Sequence, residues 1–289
     1  MTLEIEHPDQ AAASPGLFPP VDAARYRIEP GSAVHLDKID TRATDGFDGD
    51  KKAGKELLSL LTKRIGELQE VFYAQNKHRL LVVLQAMDTG GKDSTISHVF
   101  DDVNPQGVNV ASFKTPTSKE LAHDFLWRIH PHVPGNGEIV IFNRSHYEDV
   151  LVVRVHKQIS DAACQQRFKH INAFEKMLVE EGTTILKFYQ HISKDEQKKR
   201  LQARIKNPAK HWKFDPGDLA ERKLWDEYMV AADDMLKHTS ANKAPWFVVP
   251  ADRKWYRNLI VAQAIIDSLE SLKLAYPEPK QPLDGIVIE

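Results

Sequence analysis

The chain has 289 residues, 42 % of them hydrophobic, and a formal net charge of −2. That length fits one large α/β domain or two small ones with a sizeable core, and near-neutrality excludes a global pull toward nucleic acid or a membrane surface. The single cysteine, Cys164, excludes an intrachain disulfide; no apolar run approaches the ~18 residues of a membrane span, and the acidic opening MTLEIEHPDQ lacks a secretory apolar stretch, so the expectation is a cytoplasmic protein.

Residues 1–50 carry prolines at 8, 15, 19, 20 and 30 and little periodicity. An extended arm draped over the body is expected, with a disordered tail as the alternative for residues 1–20. In 51–76, Leu57, Leu61, Ile65, Leu68 and Phe72 recur at helical spacing among Lys and Glu, the pattern of an amphipathic helix. Leu80 to Leu84 is short, apolar and β-branched at its centre, which predicts a buried parallel strand. Strands are likewise predicted at 107–113, 138–142, 183–189 and 246–250. Between them, helices are predicted over 117–129, 161–181, from Ser193 onward, over 218–238 and over 254–274, with Thr117 to Glu120 reading as a capping box. Residues 276–289, marked by Pro277, Pro279 and Pro282, read as a tail. Five apolar strands alternating with helices define an α/β chain with a parallel sheet covered on both faces, and ligands of such sheets sit at the carboxyl ends of the strands.

After the first strand the chain reads Ala86-Met-Asp88-Thr89-Gly90-Gly91-Lys92-Asp93-Ser94-Thr95. Glycines let the backbone turn tightly, the following helix aims its N-terminus at the loop, and Lys92 adds a full charge. Strand, Gly-Gly-Lys and helix in that order suit a phosphate cradle. Ala86 stands where the usual P-loop pattern has Gly, and Asp93 where it has Ser or Thr. A carboxylate beside phosphates is repulsive unless a cation bridges it, which nominates Asp88 as a Mg²⁺ ligand or acceptor-orienting base.

The third strand ends in Asn143-Arg144-Ser145-His146-Tyr147-Glu148-Asp149. An acid usually closes this strand and holds the metal. Asn143 supplies no charge, so Glu148 and Asp149 are nominated instead, with Arg144 as a phosphate clamp. The plain alternative is a helix N-terminus with acids in its first turn. Between Gln197 and Phe214 stand seven Lys or Arg residues and no acid. A solvated helix face explains such a run, but its position after the fourth strand, with Asn207-Pro208 as a hinge, favours a lid over a polyanion. His130-Pro-His132 is the closest histidine pair and no zinc motif accompanies it; Cys164 has no activating neighbour in sequence; no nucleophile elbow surrounds Ser145.

On segments 80–108, 125–152, 181–201, 210–228 and 244–258, the chain resembles the family-2 polyphosphate kinases from about residue 45 to 272. The Ala86 and Asp93 departures belong to that family's version of the loop. The resemblance implies a P-loop kinase fold akin to thymidylate kinase: a five-stranded parallel sheet between helices over 51–275, with a helical lid near 205–225. It implies phosphoryl transfer between inorganic polyphosphate and AMP, ADP, ATP or other purine nucleotides, with Mg²⁺, or Mn²⁺ because both suit oxygen ligands. By position, Asp88 would bind the metal and orient the acceptor, and Lys92 and Arg144 would hold the transferred phosphoryl group. Thr89, Gly90, Gly91, Asp93, Ser94 and Thr95, with Lys210, Lys213 and Arg222 from the lid, would contact phosphates. Asn104, Phe113, Lys114, Asp124, Arg128 and Asn143 would shape the nucleotide pocket. The 143–149 string resembles class III members, which phosphorylate both nucleoside mono- and diphosphates. The family also implies a homodimer or homotetramer, with neither nucleic acid nor membrane as partner. Two other functions share the loop: an ATP-dependent kinase of a nucleoside monophosphate or other small metabolite, and a polyphosphate- or nucleotide-binding regulator without turnover.

Overall fold

The structure is a computed structural model and describes residues 18–283, 285, 286 and 288. The amphipathic pattern at 51–76 forms α1 (Lys51–Gln75), capped by the Asp50 carboxylate accepting from Ala53 N–H at 2.8 Å and closed by Asn76 in the left-handed region. The strands are β1 (Arg79–Gln85), β2 (Val108–Ser112), β3 (Ile139–Asn143), β4 (Thr183–His191) and β5 (Trp246–Pro250). All neighbours pair in parallel, in the order β2-β3-β1-β4-β5. The remaining helices are α2 (Lys92–Val99), α3 (Ser118–Leu121), α4 (Val152–Val155), α5 (Asp161–Glu180), α6 (Lys194–Lys206), α7 (Gly217–Lys223), α8 (Trp225–Thr239) and α9 (Lys254–Ser271).

Successive strand residues face opposite ways, so an unbroken apolar strand needs cover on both sides. Leu80, Val82 and Leu84 pack with Leu61, Ile65 and Phe72 of α1 and with Leu259, Ile260 and Ile265 of α9. Leu81 and Val83 join Phe168, Ile171 and Phe174 of α5 and Ala232, Met235 and Leu236 of α8. Residues 18–50 run along the outside. Ile28 N–H donates to Trp246 O at 2.8 Å and Arg27 bridges to Phe247, which covers the outer edge of β5. Ala23, Leu36 and Phe47 are buried there. The expectation for residues 1–17 lies outside the described residues. No helix among them is long and apolar enough to cross a membrane.

Two helices differ from expectation. The 117–129 helix stops at Leu121 although the capping box forms, Thr117 N–H donating to Glu120 Oε2 at 2.6 Å and Glu120 N–H to Thr117 Oγ1 at 3.3 Å. Asp124 then takes Leu126 N–H on its own carboxylate at 3.0 Å, a local turn that competes with the helix. The 218–238 helix is two, α7 and α8, meeting at Leu224 with neither Gly nor Pro at the break. Trp225 is buried in the core and Arg222 donates to Lys194 O and to Gln197 Oε1 at 3.0 Å, so each side of the break is held by its own tertiary contacts.

Candidate active site

β1 and β3 are neighbours, and their carboxyl ends release the chain side by side, so the 86–91 and 143–149 loops meet. Gly90 N–H closes a turn on Met87 O at 2.9 Å, and a Cβ on Gly90 would stand 2.3 Å from that of Ala86. Gly91 caps α2 at φ +104°, where side chains are strained, and a Cβ there would meet Arg257 Nη1 at 2.0 Å. Thr89, a β-branched residue, is also left-handed at φ +62°. Such backbone persists only where its surroundings over-determine it.

Arg144 leaves β3 at φ +62° and donates from Nη2 to Asp88 Oδ1 at 3.0 Å. Beside it Asn143 Nδ2 donates to Asp93 Oδ1 at 2.7 Å, tying the end of β3 to the first turn of α2. Lys92 Nζ reaches Ala86 O at 3.2 Å. Burial, then Arg144, lowers the Lys92 pKa, against the pull of Asp88, Glu148 and Asp93. Burial raises the Glu148 carboxyl, opposed by Arg144 and Lys92. Asp88, Lys92, Arg144 and Glu148 thus form one electrostatic group. Asp149 departs from it: Arg167 Nη1 holds its Oδ1 at 3.4 Å, its Oδ2 is buried without a partner, and burial raises the carboxyl to about 6. The three acids nominated for metal therefore do not converge. Among the described residues, the one group of three or more His, Cys, Asp or Glu with ligand atoms within 4.8 Å of one another is His35, Asp37 and Asp233, elsewhere.

The loop opens into a cavity of about 780 Å³. Its wall carries eight Lys or Arg side chains (Lys92, Lys114, Arg144, Arg200, Arg204, Lys210, Lys213 and Lys254) against four Asp side chains (Asp88, Asp93, Asp215 and Asp218). A chain of net charge −2 has here gathered a local positive field. A second cavity, about 820 Å³, shares Ser94, Arg200, Ala203 and Lys254 with the first and adds Arg42, Lys51, Lys55, Lys199 and Arg253 against Asp50, Glu196 and Asp252. An apolar cleft lined by Phe125, Phe174 and Met177 lies apart and has few polar groups.

Of the nominated phosphate residues, Asp88 to Ser94, Arg144, Lys210 and Lys213 all line the first cavity. Thr95 lies behind it, its Oγ1 accepting from Gln190 Nε2 at 2.9 Å. Arg222 does not line it and is held by α6. Of the nominated nucleotide residues, Phe113, Lys114 and Asn143 line the cavity. Arg128 is buried beneath, donating to Lys114 O at 2.8 Å and lying 5.6 Å over the Phe113 ring. Asn104 caps the short 3₁₀ turn before β2, and Asp124 borders the apolar cleft, so neither is brought to the cavity. Sequence reasoning missed Gln197, which donates to Asp88 O at 3.1 Å, and Lys254 and Arg257 of α9. One signal was present: Arg257 shares a helix face with Ile260, Val261 and Ala264, a charge on an otherwise apolar stripe.

A strand, Gly-Gly-Lys loop and helix at the switch point of a parallel sheet, under a basic wall, define a P-loop kinase-like α/β protein. The family model described as Polyphosphate kinase 2 matches residues 48–277. The chain belongs to the polyphosphate kinase 2 family. It is 53 % identical over 265 residues to an AMP/ADP-polyphosphate phosphotransferase of Meiothermus ruber, covering 92 % of this chain and 99 % of that one. It is 44 % identical to an ADP-polyphosphate phosphotransferase of Rhodopseudomonas palustris, over 89 % and 93 % of the two chains. The crystal structure of polyphosphate kinase 2 from Arthrobacter aurescens TC1 superposes with a TM-score of 0.88 at 46 % identity, covering 92 % of this chain and 95 % of that one.

Proposed function

We propose that this protein transfers a phosphoryl group from inorganic polyphosphate to AMP and ADP, reversibly, as a class III member of its family. The observation that carries it is the eight-cation cavity at the mouth of a phosphate loop, in a chain that spans nearly all of a relative named for both acceptors. The adjoining basic cavity supports a long polyanion as donor; an ATP-dependent kinase of small molecules has no need of so extended a track.

Phosphoryl transfer asks a protein for alignment and charge neutralisation rather than covalent help. Lys92 and Arg144 bind the transferred group, the N–H groups at the head of α2 cradle the neighbouring phosphate, and Asp88 orients the acceptor. Lys210 and Lys213 close over the donor from a lid at 205–225 hinged at Asn207-Pro208, and Phe113, Lys114 and Asn143 border the nucleotide. Asp88 lines the cavity and Glu148 lies within its electrostatic group, and both offer the hard carboxylate oxygens that a divalent cation takes. Mg²⁺, or Mn²⁺ in its place, would be held by these two and by substrate phosphates, and would neutralise charge on the phosphates. Asp149, paired with Arg167, has no part in that set. We place the protein in the cytoplasm as a homodimer or homotetramer, which light scattering would measure.

The test is to incubate the protein with long-chain polyphosphate, Mg²⁺ and either AMP or ADP and to separate the nucleotides. ATP from ADP, and ADP followed by ATP from AMP, is expected. ATP from ADP alone would remove the class assignment, and no product from either would favour the ATP-dependent kinase or the non-catalytic binder.

A further inference from the structure

A phosphate loop works only if its N–H groups point at the ligand, and each peptide that turns its N–H inward turns its carbonyl outward. Those carbonyls need donors of their own. Here two arginines supply them. Arg200 of α6 donates from Nη1 to Thr89 O at 3.1 Å and to Gly90 O at 3.0 Å. Its Nη2 donates to Ala251 O at 2.6 Å and its Nε to Glu196 Oε1 at 2.9 Å. Arg257 of α9 donates from Nη1 to Gly90 O at 3.3 Å and from Nη2 to Ser94 Oγ at 3.4 Å. Asn258 Oδ1 fixes that guanidinium, accepting from Nε at 3.0 Å and from Nη2 at 2.7 Å.

Arg257 is 0 % exposed and therefore touches no substrate. Arg200 borders both cavities, which would suggest a phosphate ligand, yet every one of its guanidinium nitrogens is engaged by a protein oxygen. The loop segment they hold includes Thr89, a β-branched residue at φ +62°. Left alone, such a backbone relaxes. Burial and the neighbouring Arg200 lower the Arg257 pKa to about 9, and the guanidinium still carries its charge at neutral pH.

We infer that Arg200 and Arg257 are positioning residues: they grip the carbonyl side of the 89–91 loop and so keep its N–H side turned to the transferred phosphate. The kinetic part of this inference rests on the proposed phosphoryl transfer; the structural part does not. A lysine at either position keeps the charge but cannot hold its two loop acceptors, Thr89 O and Gly90 O for Arg200 or Gly90 O and Ser94 Oγ for Arg257, in a fixed fork.

Arg200→Lys and Arg257→Lys are compared with wild type by hydrogen exchange of amides 89–95 and by ATP formation from ADP and polyphosphate across ionic strength. Exchange in 89–95 is expected to rise about tenfold with the central strands unchanged. Turnover is expected to fall by up to about 100-fold, the scale of a 1 Å misplacement, with KM for polyphosphate and its salt dependence unchanged. Asn258→Ala, which leaves both arginines in place and removes the acceptor orienting Arg257, gives a smaller shift of the same kind. A raised KM with a shallower salt dependence would make either arginine a direct polyanion ligand and overturn the inference. Unchanged exchange at 89–95 with a lowered Tm would reduce the pair to scaffold and overturn it as well. A wild type that forms no ATP would fail the proposed function, while the exchange comparison would still decide the positioning.

Discussion

Removing the charge of Glu175 should destabilise the whole molecule and the loop that carries Arg144. Lys187 of β4 is fully buried, and its Nζ donates to Glu175 Oε2 at 2.5 Å, to Thr239 O at 2.7 Å and to Tyr147 OH at 2.9 Å. Burial opposes the Glu175 charge, yet Lys187 and then His146 hold its pKa below the usual carboxylate range. In Glu175→Gln the ammonium keeps two neutral acceptors and loses its counter-charge. Shedding its proton at pH 7, against an ordinary pKa of 10.5, costs about 5 kcal/mol. The retained acceptors stabilise whichever form remains, so the net loss should be about 3–5 kcal/mol. The neutral lysine gives the loss a signature. The variant's unfolded state binds one more proton than its folded state, so its stability should recover by about 1.4 kcal/mol per pH unit from pH 7 toward pH 9. In wild type burial also lowers the Lys187 pKa but Glu175 opposes the shift, so the slope from this group should be smaller than in the variant. Urea midpoints at pH 7, 8 and 9, followed by fluorescence and circular dichroism together, measure it. The double variant Glu175→Leu/Lys187→Met should lose far less than the single, because an apolar pair leaves no buried charge. A Glu175→Gln deficit below about 1 kcal/mol that is flat with pH would refute the reasoning.

Asp88→Asn should abolish turnover at every polyphosphate concentration while binding, read by fluorescence titration, changes little; residual turnover above about a hundredth of wild type would remove Asp88 from the reaction. Lys210→Ala/Lys213→Ala should raise KM for polyphosphate and flatten its salt dependence, because both belong to a local field screened over about 10 Å at 0.1 M salt; an unaltered dependence would exclude them from the donor track. For Asp149, burial raises the folded carboxyl from 3.8 to about 6, so its favourable contribution is complete below the unfolded value and is lost as pH rises through 6. The stability of wild type relative to Asp149→Asn should therefore fall by about 1–2 kcal/mol between pH 5 and pH 7.5, and a constant difference would show that Arg167 fully compensates the charge.

The sheet was legible because its strands are apolar on both faces. Leu80 to Leu84, Ile139 to Phe142 and Trp246 to Val249 have no polar residue to assign to solvent, and this demands helices on either side. The phosphate loop was legible because a local motif needs only neighbours in sequence: Gly90 and Gly91 make the turn, Lys92 follows, and α2 begins. What sequence left open depended on long-range contact. Asp149 sits beside Glu148 in the chain, but a 3₁₀ turn sends it to Arg167 of α5. Arg222 falls among lid cations yet binds α6, and the break at Leu224 has no local breaker. Arg257, 167 residues from Gly90, could not be tied to it by any pattern within the chain. Sequence by itself determined the layers, the strands and the loop, because hydrophobic period and backbone permissiveness act over a few residues. Tertiary structure alone decided which charges face the cavity and which hold it from behind, because that depends on where distant segments are packed together and which carbonyls are left needing donors.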